Sequence, residues 1–192
     1  MLVAGGAADP GEVDRQVTTA RLTLEGVNSL DQAGFVRALR FVFEGPPWIV
    51  EAAWADRPFD SLERLHEALR AVMDAAPVEQ QVALLRAHPD LVGRAALAGT
   101  LSAESREEQA SAGLDRLSPA EVVTFKRLNA AYQERFGFPF IICVREHRKE
   151  SILAGFESRL TNSREHEIST ALGEVTRIGR LRLLALFEQG AP

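Results

Sequence analysis

The chain has 192 residues, of which 46% are hydrophobic and 26% charged, the composition of an ordinary globular domain that can bury a core. Its net charge of −5 argues against a nucleic-acid-binding protein, which would carry a basic patch. No apolar run approaches the roughly 18 residues that a membrane-spanning helix needs. Cys143 is the single cysteine, so an intramolecular disulfide and a multi-cysteine metal site are excluded, which fits a reducing compartment. The lack of targeting signals leads us to expect a cytoplasmic protein.

The two ends of the chain are predicted to lie outside the folded domain. Residues 1–24 begin without the basic and apolar regions of a secretion signal, so we expect a flexible leader there. Residues 189–192 carry no recognisable targeting tripeptide and are expected to form a short tail. Residues 25–188 contain no internal repeat and no linker long enough to divide them, which predicts one domain.

Helix-capping residues recur along that domain, each followed by apolar positions at helical spacing. Ser29 to Gln32 has the pattern of a capping box, and so has Ser118 with Glu121 three residues later. Gly113 and Gly137 fit left-handed residues at helix ends. In chain order, about eight helices are expected over residues 30–42, 62–72, 77–87, 91–98, 103–112, 119–136, 149–160 and 163–187.

Three interruptions of the helical pattern are candidates for function, since local rules fail most often at functional sites. The first is His88, which lies between a predicted helix end and Pro89, so its backbone is restricted. An imidazole with a pKa of about 6.5 can give or take a proton near neutral pH. His88 is therefore a candidate acid–base group, and a histidine that caps or packs the helix end is the alternative.

The second interruption is a polar stretch within the helix expected over residues 103–112. Ser105, Glu108 and Gln109 are spaced i, i+3 and i+4, so they share one face of that helix. A hydroxyl, a carboxylate and an amide at positions where apolar residues are expected make a polar wall for a small ligand. The alternative is a charged helix face in water.

The third interruption is the apolar stretch 136–144, which has the only strand-like composition in the chain. Pro139 argues against a central strand there. An irregular backbone leaves N–H and C=O groups for a ligand rich in amide-like groups, or for local turns. The sequence therefore predicts an all-α, single-domain helical bundle of about eight helices with one irregular extended segment.

Three motifs stand in order at these interruptions: His88-Pro89-Asp90-Leu91, Ser105-x-x-Glu108-Gln109 followed by Gly113, and Phe136-Gly137-Phe138-Pro139-Phe140-Ile141. Together they resemble the signatures of the OHCU decarboxylase family. OHCU is 2-oxo-4-hydroxy-4-carboxy-5-ureidoimidazoline, the last intermediate between urate and allantoin. The resemblance covers roughly residues 25–188 and extends to Pro47-Trp48-Ile49 and to Arg180–Leu183.

The resemblance implies an all-helical homodimer without metal or organic cofactor, and the four histidines and Cys143 indeed show no metal-ligand spacing. It places the catalytic histidine at His88. It implies substrate contacts at Pro89, Ser105, Arg106, Glu107, Glu108, Gln109, Phe140, Ile141, Ile142, Cys143 and Val144. A family arginine in the last helix matches Arg182 best, although Arg177 and Arg180 are near and the rotation of the helix decides.

The implied reaction is the decarboxylation of OHCU to (S)-allantoin and CO2, which follows the steps of uricase and hydroxyisourate hydrolase. We expect His88 to be the acid–base group and Glu108 to bind substrate and to orient or tune His88. Ser105, Gln109 and the backbone of 140–144 would bind ring and ureido groups, and Arg182 the carboxylate. Two alternatives stay open: a related ureido or imidazolone acid as substrate, and a helical interaction domain without catalysis.

Overall fold

The computed structural model describes residues 22–93, 99 and 101–188. Within these residues the chain forms nine α-helices, two 3₁₀ turns and no strand, so the predicted all-α, single-domain class is confirmed. The helices are α1 Leu24–Ser29, α2 Gln32–Leu39, α3 Trp48–Ala53, α4 Leu62–Ala75, α5 Val78–Arg86, α6 Ala103–Ser111, α7 Pro119–Phe136, α8 Lys149–Arg159 and α9 Arg164–Glu188. The 3₁₀ turns are Trp54–Asp56 and Val144–Glu146.

Some of the predicted elements lie outside the residues that the structure describes. The boundaries 1–24, 25–188 and 189–192 stay predictions, because residues 1–21 and 189–192 lie outside the described residues. Most of the helix expected over 91–98 lies outside them as well. None of the described helices is both long and apolar enough to cross a membrane.

The helix caps follow local chemistry, with one correction. Ser118 and Glu121 form the predicted capping box at the start of α7, and Gly137 ends that helix at φ 79°. The box predicted at Ser29 is wrong, because Ser29 is the last residue of α1 and its hydroxyl donates to the Gly26 carbonyl. Asp31 caps α2 instead, accepting a hydrogen bond from the Gly34 amide at 2.7 Å.

The long helix α9 lies at the centre of the packing. It has 25 residues and is therefore about 37 Å long, and it packs against α4, α5 and α7. Ala171, Val175 and Leu183 are buried in the same core as Leu65 and Leu69 of α4. Because it runs along the whole domain, α9 can bring side chains to several parts of one site.

Aromatic packing holds the extended segment between α7 and the second 3₁₀ turn. Phe140 of this segment stacks on Phe156 of α8, with ring centroids 3.8 Å apart. Its ring also meets the edge of Tyr132 of α7 at 5.2 Å, and Phe138 contacts Tyr132 from another side. Side-chain packing rather than a strand ladder therefore fixes this backbone.

Candidate active site

Residues from all three interruptions of the helical pattern line one cavity, whose volume is about 510 Å³ when the space at its open side is included. It lies between the turn after α5, the inner face of α6, the extended segment and the C-terminal part of α9. The expected residues that line it are His88, Pro89, Ser105, Glu108, Gln109, Phe140, Ile141, Ile142, Cys143, Val144 and Arg182. Arg106 and Glu107, which the family resemblance included, are exposed and do not line it.

His88 follows the end of α5, and the helix itself orients its ring. Nδ1 lies 2.9 Å from the Leu84 carbonyl oxygen, four residues back. A carbonyl oxygen can only accept, so the neutral ring carries its proton on Nδ1 and presents the lone pair of Nε2. No described residue forms a hydrogen bond with Nε2.

His88 is 8% exposed, and this burial decides its charge. Burial lowers the pKa of His88 below its ordinary value of 6.5, and Arg182 acts in the same direction. The Leu84 carbonyl, Glu44 and Glu108 oppose this lowering without overcoming it. The imidazole is therefore neutral at neutral pH, the state in which Nε2 can accept a proton.

Amide side chains from α6 and α7 hold the turn that follows His88. Asn129 donates to the Leu91 carbonyl at 2.7 Å, and Gln109 accepts from the Val92 amide at 3.2 Å. Val92 has φ 54°, a left-handed conformation that costs a β-branched residue energy and needs such support. Because its amide oxygen already accepts from Val92, the N–H groups of Nε2 are the donors that Gln109 can offer a ligand.

Arg182 of α9 is the buried cation of the cavity, at 8% exposure. Its Nε and Nη2 donate to the two carboxylate oxygens of Glu108 at 2.7 and 2.8 Å, a bidentate pair. Nη2 also donates to Glu44 at 3.1 Å. Burial acts to lower the pKa of Arg182, but the two carboxylates outweigh it and raise this pKa. Arg177 and Arg180 are exposed, so helix rotation turns Arg182 alone of the three inward.

Glu108 does not occupy the place expected for it beside the histidine. Both of its oxygens are held by Arg182, whereas the Leu84 carbonyl orients the His88 ring. Glu108 still raises the pKa of His88 through its charge, the smallest of the influences on that group. Its hydrogen bonds therefore go to Arg182, and it acts on His88 through its charge.

The extended segment is held at two points, once by a side chain of α9 and once by a side chain of α8. The Cys143 amide donates to Glu174 at 2.8 Å, and Arg159 of α8 donates to the Ile141 carbonyl at 2.7 Å. Between and beyond these ties, the Ile142 N–H and C=O and the Val144 N–H have no hydrogen-bond partner among residues 22–93, 99 and 101–188. These backbone groups are available to a ligand with amide-like edges.

The thiol of Cys143 is not a nucleophile in this setting. Burial raises its pKa to about 11, with Glu146 and Glu174 acting in the same direction. The thiol is therefore protonated at neutral pH, as expected for an inert buried cysteine. Its backbone, not its sulfur, belongs to the wall of the cavity.

A buried polar cluster supports the Ile141 tie. Glu167 is fully buried, and its carboxylate accepts hydrogen bonds from Arg159 at 2.8 Å, from Asn162 at 2.6 Å and from the Tyr132 hydroxyl. The Arg159 guanidinium also lies 4.5 Å from the centre of the Phe140 ring. Burial, with the charge of Glu167, raises the pKa of Tyr132, so its hydroxyl keeps its proton.

Sequence reasoning missed several residues of the site. Those that line the cavity are Glu44, Leu91, Arg145, Ile178 and Leu181, and those that hold its wall are Arg159, Glu167 and Glu174. Glu44 stands before Gly45-Pro46, where a carboxylate is usual in an exposed turn. The spacing of Glu167, Glu174 and Arg182, seven and eight residues apart, is the one signal that could have placed them on one face of a helix.

Comparisons with known proteins decide the family. A family model described as OHCU decarboxylase matches residues 28–184. The chain belongs to the OHCU decarboxylase family. Among its relatives, a 2-oxo-4-hydroxy-4-carboxy-5-ureidoimidazoline decarboxylase of Halalkalicoccus jeotgali is 44% identical over 163 residues, 85% of this chain and 90% of that protein.

Two further proteins that are similar to the chain are longer than it is. The uric acid degradation bifunctional protein PucL of Bacillus subtilis is 38% identical over 84% of this chain and 32% of its own length. A crystal structure of (S)-allantoin synthase superposes with a TM-score of 0.69 at 28% identity, covering 86% of this chain and 54% of that one. The fold of the family therefore also occurs as a part of larger chains.

Among the described residues, no cluster of three or more His, Cys, Asp or Glu side chains is arranged to hold a metal ion. The cavity contains instead one buried cation, Arg182, with the exposed Arg145 at its edge, two carboxylates, Glu44 and Glu108, and one neutral base, His88. Such a set of groups can bind an anion, exchange a proton and recognise the hydrogen-bond donors and acceptors of a ligand.

Proposed function

We propose that the chain decarboxylates OHCU to (S)-allantoin and CO2 in the degradation of urate, without metal or organic cofactor. One observation carries the proposal: in a member of the OHCU decarboxylase family, a neutral histidine with a free Nε2 lines the same cavity as a buried arginine. The step follows those of uricase and hydroxyisourate hydrolase, and a relative in Bacillus subtilis is named a bifunctional protein of uric acid degradation.

The chemistry of OHCU explains what the cavity must supply. The carboxylate is attached to a ring carbon that is adjacent to a ring C=N bond. When CO2 leaves, the electron pair of the broken C–C bond therefore moves toward this C=N bond, and the nitrogen of that bond takes a proton. The hydroxyl then loses its proton as the ring carbonyl forms, and the ureido-bearing carbon takes one proton on a single face. The protein therefore has to orient the ring and to move protons at fixed positions.

Each group of the cavity has a place in this reaction. His88 Nε2 takes the proton of the substrate hydroxyl, since it is the unprotonated nitrogen of a neutral ring. Arg182 pairs with the substrate carboxylate, and Glu108 and Glu44 share its charge, which keeps the ground state from being held too tightly. Gln109 donates to a carbonyl, and the free amides of Ile142 and Val144 bind ring or ureido oxygens.

The test follows (S)-allantoin formation by circular dichroism, with OHCU generated in place from urate by uricase and hydroxyisourate hydrolase. OHCU also decays unaided, but to racemic allantoin, so an enzyme-dependent signal of one enantiomer is expected. His88→Asn should lose about 10²–10⁴-fold in kcat, the usual contribution of a general acid–base group. The exposed His166→Asn is the matched control and should keep the parent rate.

Two outcomes would contradict the proposal. A parent signal equal to spontaneous decay would mean that the scaffold acts on a related ureido or imidazolone acid, or has no catalytic role. A His88→Asn variant with the parent rate would remove His88 from the reaction while the activity itself stood.

A homodimer in the cytoplasm is part of the same proposal. Phe41, Val78 and Val123 are large apolar side chains that are 43%, 48% and 66% exposed, surface that a second copy could cover. Light scattering on the purified protein is expected to give twice the mass of the chain, and the mass of one chain would contradict the dimer. Cell fractionation tests the compartment.

A further inference from the structure

Glu44 is a carboxylate of the cavity wall that the sequence motifs did not single out. It lies in the turn between α2 and α3, and its side chain is 19% exposed. One oxygen, Oε1, accepts from the Ser105 hydroxyl at 2.9 Å and from Arg182 Nη2 at 3.1 Å. The other oxygen has no partner among the described residues.

These contacts determine where the single hydroxyl hydrogen of Ser105 points. Arg182 can only donate, and the two hydrogens of its Nη2 are shared among Glu108, Glu44 and Ser105 Oγ, which lies 3.2 Å away. The contact with Ser105 therefore uses a lone pair of the hydroxyl. An ionised carboxylate can only accept, so the hydroxyl hydrogen goes to Glu44. Ser105 lines the cavity, and all it has left for a ligand is its second lone pair.

We infer that Glu44 is a positioning residue that sets substrate specificity: it holds Ser105 as a hydrogen-bond acceptor for an N–H group of the substrate. The inference rests on the proposed function, because OHCU carries ring and ureido N–H groups. With Glu44 in place, a ligand that brings a carbonyl or carboxylate oxygen to Ser105 finds no donor. The same wall of the cavity then offers a ligand both hydrogen-bond donors, the N–H groups of Gln109, and an acceptor, the lone pair of Ser105.

Two substitutions at Glu44 separate hydrogen bonding from charge. Glu44→Gln keeps an oxygen that can accept from Ser105 and Arg182, and its amide nitrogen replaces the oxygen that has no partner. Glu44→Met fills a similar volume and has only a weak thioether acceptor, so the Ser105 hydroxyl is no longer held and can rotate. We expect Glu44→Gln to stay within about threefold of the parent KM and Glu44→Met to raise KM about tenfold, the effect of one lost hydrogen bond.

The double variant shows whether Glu44 acts through Ser105. In a Ser105→Ala background, Glu44→Met should raise KM for OHCU by less than about twofold, because its partner is already gone. kcat, binding of (S)-allantoin by calorimetry, and folding by far-ultraviolet circular dichroism are measured for each variant. Glu51→Gln, an exposed glutamate of α3, is the charge-matched control and should equal the parent.

The outcomes divide clearly. If Glu44→Met keeps its full effect in the Ser105→Ala background, or if Glu44→Gln is as impaired as Glu44→Met, the inference is overturned and Glu44 acts only through its charge on Arg182, not through Ser105. Should Glu44→Met not fold, Glu44→Ala takes its place in the same cycle. If the parent protein gives no enzyme-dependent (S)-allantoin, the proposed function itself fails. If the parent is active and the Glu44 variants are equally active, only the inference about Glu44 fails.

Discussion

Arg182 shows how much one side chain depends on the partners that surround it. Its guanidinium is shared among Glu108, Glu44, Ser105 and the Phe41 carbonyl. A planar fork with several donors can serve all of these at once, whereas an ammonium group presents a point charge. The geometry of the guanidinium, and not only its charge, therefore organises this side of the cavity.

Replacing Arg182 by lysine tests this dependence. Arg182→Lys keeps the positive charge but loses the bidentate contact with Glu108, so we expect kcat/KM to fall about hundredfold, as for the loss of an oriented donor. Arg180→Lys, two residues away and exposed, should stay within about twofold, the range of an ordinary surface change. Steady-state rates of (S)-allantoin formation decide, and equal losses in both variants would contradict the assignment.

At the scale of elements, α9 carries the supports of the cavity on one face. Glu167 reaches the extended segment through Arg159, Glu174 binds the Cys143 amide, and Arg182 enters the cavity itself. The extended segment has no ladder of its own, so its shape depends on these ties and on the stacked Phe140 ring. A change at one tie should therefore affect stability and substrate affinity together.

Arg159→Met removes the cation from a buried pair and leaves Glu167 uncompensated. The free energy of unfolding should fall by about 3–5 kcal/mol, the usual cost of breaking such a pair. A second substitution, Glu167→Gln, should restore part of this loss, because it removes the unpaired charge. Urea denaturation measures both, with the exposed Arg164→Met as a control expected within about 0.5 kcal/mol of the parent. A neutral Arg159→Met would show that the tie is dispensable.

For the molecule as a whole, the buried His88 links folding to pH. Burial lowers its pKa in the folded state below 6.5, while the unfolded chain takes up this proton near 6.5. The unfolded state therefore binds more protons between these two values, so stability is complete above pH 6.5 and is lost as the pH falls toward the pKa of the folded state.

The same linkage predicts the pH dependence of unfolding. Below pH 6.5 the free energy of unfolding of the parent should fall more steeply than that of His88→Asn, with an excess slope of up to about 1.4 kcal/mol per pH unit. Urea titrations of both proteins across this range give the two slopes, and the difference removes the contribution of every other group. Parallel slopes would mean that His88 titrates alike in both states.

Local chemistry was enough to predict the class of the fold and the places where it breaks. The capping box of Ser118, the helix end at Gly137 and the face shared by Ser105, Glu108 and Gln109 depend on residues only a few positions apart. The capping box expected at Ser29 was wrong, because Ser29 ends α1 and Asp31, two residues later, caps α2.

By itself, the sequence determined an all-α domain, the break at His88 and the motifs of the OHCU decarboxylase family, since each is written in neighbouring residues. The tertiary structure alone decided that Arg182 and not Arg177 or Arg180 enters the cavity, and that Glu44 shares its charge. The physical reason is distance along the chain: Arg182 meets Glu108 from 74 residues away and Glu44 from 138, contacts that only the packing of α9 against the rest of the domain brings about.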